Sequence, residues 1–197
     1  MKILIGTNNQ NKLAQYRRSL AKNWPEAEVL SLADLGITLD VEEDGDSLMH
    51  NAKKKAKEYA ELSGILTVAD DTGLFIDALD GDPGLHAKRW AAGSDKDRCL
   101  KILERLKDVS KEKRTARYDS VVACYDPSER NFYTAQIAVE GLIGEELEGE
   151  NGFGYDSIFF VKKFGKKYAQ LTNDEIDSIS HRTVGMKEII DKLKKNL

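Results

Sequence analysis

Cysteine is scarce: Cys99 and Cys124 are the only two in 197 residues. Neither falls in a spacing that binds metal or cycles a disulfide, so both read as small buried hydrophobes and a cysteine-based centre is excluded. An excess of positive charge is also missing. Thirty basic residues stand against 34 acidic ones, a net charge of -4, which excludes a bulk electrostatic grip on nucleic acid. A polyanionic ligand must then be held by a local cluster or through a metal. Long apolar runs are absent as well. Ile3-Leu4-Ile5 is too short for a signal peptide, and no stretch reaches transmembrane length. The expectation is a soluble, cytoplasmic chain without membrane contact. With no internal repeat or low-complexity linker and 41% hydrophobic residues, the chain reads as one domain over residues 1–197 with a sizeable core.

Against this background one stretch stands out. The apolar run Ile65 to Ala69 breaks into Asp70-Asp71-Thr72-Gly73. A buried strand ending this way delivers carboxylates to the edge of a sheet, where open α/β sheets bind ligands. Adjacent carboxylates are costly to hold together unless a cation or hydrogen bonds compensate them, and a hard divalent metal is a common answer. A capped turn, with Thr72-Gly73 as turn residues, is the competing reading of the same residues.

The rest of the chain alternates strands and helices, then changes character. Lys2 to Gly6 predicts a strand and Leu13, Tyr16 and Leu20 a helix, with Thr7-Asn8-Asn9-Gln10-Asn11-Lys12 between them. That turn lacks Walker glycines, but it sets backbone N–H groups and a helix terminus beside Lys12, which suits a phosphate. Trp24-Pro25 stops the helix, and Glu28 to Leu32 reads as a second strand. The acidic loop Val41 to Asp46 precedes a helix from Ser47 to about Leu62. Ser94 opens a further helix with an acid three residues on. Arg114 to Tyr125 and Asn131 to Ile143 read as a hairpin, so the sheet should be mixed rather than parallel. Gly152-Phe153-Gly154-Tyr155-Asp156, leading into Ile158 to Val161, suggests close backbone approach to a flat ligand and an aromatic for stacking. Ser180 caps a terminal helix whose first turn holds His181 and Arg182. Cations there oppose the helix dipole, a cost without visible structural return.

Together these segments resemble a family. Thr7-x-Asn9-x-x-Lys12, Asn51-Ala52-x-x-Lys55-Ala56, Ala69-Asp70-Asp71-Thr72-Gly73-Leu74, Pro83-Gly84-x-x-x-x-Arg89, Gly152-Phe153-Gly154-Tyr155-Asp156 and Ser180-His181-Arg182 are similar to the inosine/xanthosine triphosphate pyrophosphatases. The resemblance runs from Lys2 to the terminal helix. It implies an α/β fold with a long mixed central sheet, flanking helices and two lobes around a substrate cleft. It also implies a homodimer, Mg2+, and cleavage of deaminated purine triphosphates to monophosphate and pyrophosphate. By matching motifs, Thr7, Asn8, Asn9, Gln10, Asn11 and Lys12 would hold phosphates. Asp71 would be general base and metal ligand, Glu43 the second metal ligand, and Thr72 a substrate contact. Phe153, Gly154, Tyr155 and Asp156 would hold base and sugar, and His181 and Arg182 would read the purine. The chain departs from the family pattern at His50 (usually Glu), Ser157 (usually Pro) and Ile176, where a substrate-contacting lysine is usual. Two other readings are a phosphatase of the haloacid dehalogenase type, which would carry its aspartates near the first strand, and a nucleotide-binding homologue without turnover.

Overall fold

The computed structural model describes residues 1–195. Its elements in chain order are β1 (Lys2–Ile5), α1 (Gln10–Asn23), β2 (Glu28–Ser31), α2 (Leu48–Ser63), β3 (Leu66–Ile76), β4 (Pro83–Gly84), α3 (Asp95–Arg105), β5 (Thr115–Asp126), β6 (Asn131–Ile143), β7 (Phe159–Val161), β8 (Lys166–Lys167), α4 (Asn173–Asp177) and α5 (His181–Lys194). The strands form one mixed sheet in the order β2-β1-β3-β5-β6-β7-β8, with β4 beside β3. β1 pairs in parallel with β2 and β3, whereas β4–β3, β6–β7 and β7–β8 are antiparallel. The mixed α/β fold expected from the sequence is therefore present. None of the described helices is long and apolar enough to cross a membrane.

The chain divides into two compact units. The first holds Met1–Asp71, Ser120–Ile137 and Asp177–Leu197, and the second holds Thr72–Asp119 and Ala138–Ile176. In the first, strand alternation sorts side chains onto two faces. Ile3, Ile5 and Val68 pack with Leu13, Tyr16 and Leu20 of α1 and with Met186, Ile189, Ile190 and Leu193 of α5. Leu4 points the other way, into a cluster with Leu32, Val41 and Tyr59 of α2. The spacing of Leu13, Tyr16 and Leu20 puts all three on one side of α1, each fully or almost fully buried. Burial of each of the two leucines contributes about 1.5–3 kcal/mol. In the second unit, Tyr118, Phe159 and Tyr168 form an aromatic cluster, with Tyr118 and Phe159 centroids 4.5 Å apart.

One expectation about the sheet needs correction. The strand does not end at Asp70-Asp71; β3 runs unbroken from Leu66 to Ile76. What ends there is its neighbour, since β1 pairs with β3 only as far as Ile5–Val68. The carboxylates thus lie where β3 projects beyond β1. They are held by side chains from flanking helices rather than by a turn. Both cysteines are buried, as expected.

Candidate active site

The first unit gathers most of the polar residues singled out in the sequence. Alternation along β3 sends Asp70 and Asp71 to opposite faces. Asp70 lies on the α1/α5 face and accepts from Lys12 Nζ at 2.9 Å and from Arg182 Nη2 at 3.1 Å. Arg182 also donates to Gln15 Oε1 at 3.4 Å, and Gln15 accepts from the α5 cap Ser180 at 2.9 Å. Burial opposes the Asp70 charge, but Arg182, Lys12 and Lys55 outweigh it and hold the carboxyl well below the usual range. Burial also lowers Lys12, with Asp70 pulling the other way. His181 is buried beside this network; burial, then the Arg182 charge, hold its pKa well below the ordinary value, so it is neutral. The adverse placement of Arg182 at a helix start does have a structural return, namely its pairing with Asp70.

Asp71 lies on the α2 face. Asn51 donates to Asp71 Oδ2 at 3.0 Å and accepts from the Gly45 amide at 2.8 Å. A side chain on Gly45 would press its Cβ to 2.7 Å from Asn51 Oδ1, so only glycine lets the acidic loop approach this closely. One turn along α2, the Lys55 ammonium donates to Glu43 Oε1 at 2.5 Å and to the Asp70 carbonyl at 2.6 Å, and stands 3.5 Å from Asp71 Oδ1. Burial works against the Lys55 charge, yet Asp71, Glu43 and Asp70 outweigh it and raise its pKa. Burial raises the Asp71 carboxyl, with Lys55 opposing and Glu43 reinforcing. Ser120 Oγ donates to the Asp71 carbonyl at 3.0 Å and fixes the strand from β5.

The polar turn between β1 and α1 forms as expected. Asn9 caps α1, its side chain accepting from the amides of Asn11 and Lys12, while Thr7 Oγ1 accepts from the Asn9 amide. Asn8, Gln10 and Asn11 are exposed.

Thr72 and the segment Phe153 to Asp156 belong to the second unit. Here Asp156 works as a latch: one oxygen accepts from the Phe153 amide at 3.0 Å and the other from Tyr118 Oη at 3.1 Å. Gly152 has φ +83°, and a Cβ there would collide with Asp156 Oδ2. Asp95 at the start of α3 accepts from the Gly154 amide at 2.6 Å, and Tyr155 Oη donates to the Ala87 carbonyl at 2.6 Å. Phe153 and Gly154 are left half-buried while Tyr155 and Asp156 are buried. Ile176 is a buried apolar residue on α4 and contributes no cation, and His50 is exposed, 3.8 Å from Asp46.

Sequence reasoning gave no individual role to Asn51, Gln15 or Lys55, naming Asn51 and Lys55 only within a shared motif, and it missed the pairing role of Asp70. A signal for two of these existed. Asn51 and Lys55 are four residues apart on the same side of α2 as Ala52 and Ala56, a side that is otherwise apolar and buried. Polar side chains on a buried stripe need partners, and these two find theirs at Asp71.

Glu43 and Asp71 converge on one cation, the Lys55 ammonium. Their donors are carboxylate oxygens, the type a hard divalent ion prefers, so these residues fit such an ion. Among the described residues no cluster of three or more His, Cys, Asp or Glu side chains forms a metal site.

Comparison with known proteins shows what this chain is similar to. The model of the Ham1 family matches residues 3–192. A dITP/XTP pyrophosphatase of Listeria monocytogenes serotype 4b (strain F2365) is 39% identical over 191 residues, covering 95% of this chain and 92% of that protein. The dITP/XTP pyrophosphatase of Bacillus subtilis (strain 168) is 40% identical over 188 residues, covering 94% and 93%. The solved Ham1 protein of Staphylococcus aureus aligns over 100% of both chains with TM-score 0.85 and 32% identity. A nucleoside-triphosphatase / dITP/XTP pyrophosphatase from Mycobacterium abscessus aligns over 93% of this chain and 96% of its own, with TM-score 0.71 and 36% identity.

Proposed function

The chain belongs to the Ham1 family, and from that premise we propose that it hydrolyses non-standard purine nucleoside triphosphates, those of inosine, deoxyinosine and xanthosine, to the monophosphate and pyrophosphate. The observation that carries this reading is the buried Asp71 carboxylate, fixed by Asn51 and Lys55 with Glu43 alongside.

In this reading Asp71 is the general base. Burial raises its pKa, which strengthens it as a proton acceptor. Asn51 fixes one carboxylate oxygen, so the other is aimed at a water that attacks the α-phosphorus. Lys12 and the α1 terminus, with Thr7 to Asn11 around it, hold the phosphates and stabilise the charge on departing pyrophosphate. Glu43 and Asp71 are the residues that would hold Mg2+, which when bound supplies Lewis-acid stabilisation of phosphoryl charge.

Selectivity follows from the purine edge. Hypoxanthine and xanthine present a carbonyl at C6, where adenine presents an amino group. A neutral, buried His181 can donate one N–H to that carbonyl, and the same donor is left unsatisfied by adenine. Arg182 supports this edge from its anchorage on Asp70. Thr72 touches substrate, and Phe153 to Asp156 flank base and sugar, with Phe153 as the stacking ring. The protein acts as a homodimer in the cytoplasm, clearing deaminated purines from the nucleotide pool.

The test is a panel of purine triphosphates incubated with the protein and Mg2+, with products identified by chromatography. Inosine and xanthosine triphosphates should give monophosphate and pyrophosphate far faster than the adenosine and guanosine compounds. Release of orthophosphate, or no turnover of any member, would contradict the reading.

A further inference from the structure

The segment 152–156 lies outside helix and strand, yet its central glycine is gripped at both backbone groups by one helix of the second unit. Asp95 Oδ2 accepts from the Gly154 amide at 2.6 Å, and Cys99 Sγ donates to the Gly154 carbonyl at 3.4 Å. The two side chains are four residues apart on α3, so they stand on one face, one turn apart. Gly154 has φ +63°, and open space lies where its Cβ would be. Crowding therefore does not hold the glycine in this conformation; the two hydrogen bonds to α3 do. The helix is itself anchored there. The Ser94–Asp97 capping box fixes its first turn, and Arg98 pairs with Asp95 while donating to the Gly93 carbonyl at 2.7 Å. Ser157 Oγ donates to Cys99 Sγ at 3.7 Å, a contact that the proline usual at this position in the resembled family could not make. Burial pushes the Cys99 thiol up to about 11, so at neutral pH it keeps the proton it donates.

We propose that Asp95 and Cys99 are positioning residues for recognition of the nucleoside: acting through Gly154, they fix the backbone of the segment that flanks base and sugar. The helix thus does for this segment what a ladder of hydrogen bonds does for a strand. Loss of either contact frees Gly154, whose left-handed conformation is one of many open to glycine. The nucleoside must then order the segment as it binds, and that cost appears in affinity. The phosphate chain, held by Lys12 and the α1 terminus in the reading above, does not share it. This inference rests on the reading of segment 153–156 as the base and sugar site.

The experiment measures KM and kcat for inosine triphosphate, its equilibrium binding, and inhibition by inorganic tripolyphosphate, which carries the phosphates without a nucleoside. Cys99→Ala should raise KM and weaken equilibrium binding by about three- to tenfold, with kcat within about twofold of wild type. Cys99→Ser, which restores a donor, should recover most of the loss. Asp95→Ala should weaken binding by at least as much as Cys99→Ala, because it removes a charged acceptor. Inhibition by tripolyphosphate should be the same in all of these proteins. Should Cys99→Ala not fold, as judged by circular dichroism, Asp95→Ala at its exposed position makes the same comparison. Unchanged binding of inosine triphosphate in a folded variant, an equal loss for tripolyphosphate, or a Cys99→Ser protein as impaired as Cys99→Ala would overturn the proposal. A Phe153→Ala control separates the two levels. If it leaves nucleotide binding unaltered, the reading of the segment fails and the proposal with it; if it weakens binding while the Asp95 and Cys99 variants change nothing, the proposal fails alone.

Discussion

Asp70 and Asp71 are neighbours in sequence and face opposite sides of β3. The first is paired with Lys12 and Arg182 on the α1/α5 side, and the second with Asn51 and Lys55 on the α2 side. Period-two alternation thus gives two adjacent acids different work. Asp70 ties two helices to the sheet, whereas Asp71 is the residue to which the proposed chemistry is assigned.

Asp71→Asn should abolish turnover while nucleotide binding remains within severalfold of wild type. The amide keeps the shape of the carboxylate and loses the base. Single-turnover hydrolysis and equilibrium binding of inosine triphosphate measure the two quantities separately. Near-normal turnover would remove Asp71 from the mechanism.

Asp70→Asn should instead cost stability. It leaves Lys12 and Arg182 without their shared counter-charge, and loss of one partner from a buried pair costs about 3–5 kcal/mol. The pH dependence has a definite sign. The folded carboxyl is held well below its ordinary value, so its stabilisation is fully present above the unfolded pKa of about 4 and is lost as pH falls through the folded value. Thermal melts across the acid range should show wild type losing its advantage over Asp70→Asn as pH falls below about 4. A constant difference between the two proteins at every pH would show that the pairing does not set the stability.

How far these roles could be read from the sequence depended on whether a partner lay nearby in the chain. The strands, the α1 cap at Asn9 and the Ser94 capping box are local, and the periodicity and cap residues announced them. The pairings of Asp70 were not readable, because Lys12 and Arg182 are 58 and 112 residues away in sequence. The end of β3 was misplaced for a related reason. Two acids look like a strand terminus until long-range cations compensate them, and the strand then continues to Ile76. The buried placement of Asn51 and Lys55 was open to reading, since their position on an apolar helix face is visible in the spacing alone.

Asn51→Ala should lower both stability and rate. Its side chain bridges the Gly45 amide and the Asp71 carboxylate, both buried, and leaving such groups unpaired costs about 1–3 kcal/mol. Since Asn51 also fixes the rotation of the base, kcat should fall while KM stays near wild type. A rise in KM with unchanged kcat would show that Asn51 shapes binding rather than the base.

His181→Ala should narrow the preference for inosine over adenosine triphosphate, mainly by loss of the good substrate. Loss of one buried donor is worth about 1–3 kcal/mol against inosine triphosphate, and adenine never used that donor. The measured quantity is kcat/KM for both triphosphates in both proteins. An equal fall for the two would move base reading away from His181 and towards Phe153 to Asp156.

The account as a whole turns on water, activated by Asp71, reaching the α-phosphorus. Hydrolysis of inosine triphosphate in water enriched in oxygen-18, followed by mass spectrometry of both products after a single turnover, tests this directly. The account predicts one labelled oxygen in inosine monophosphate and none in pyrophosphate; label in the pyrophosphate would contradict it.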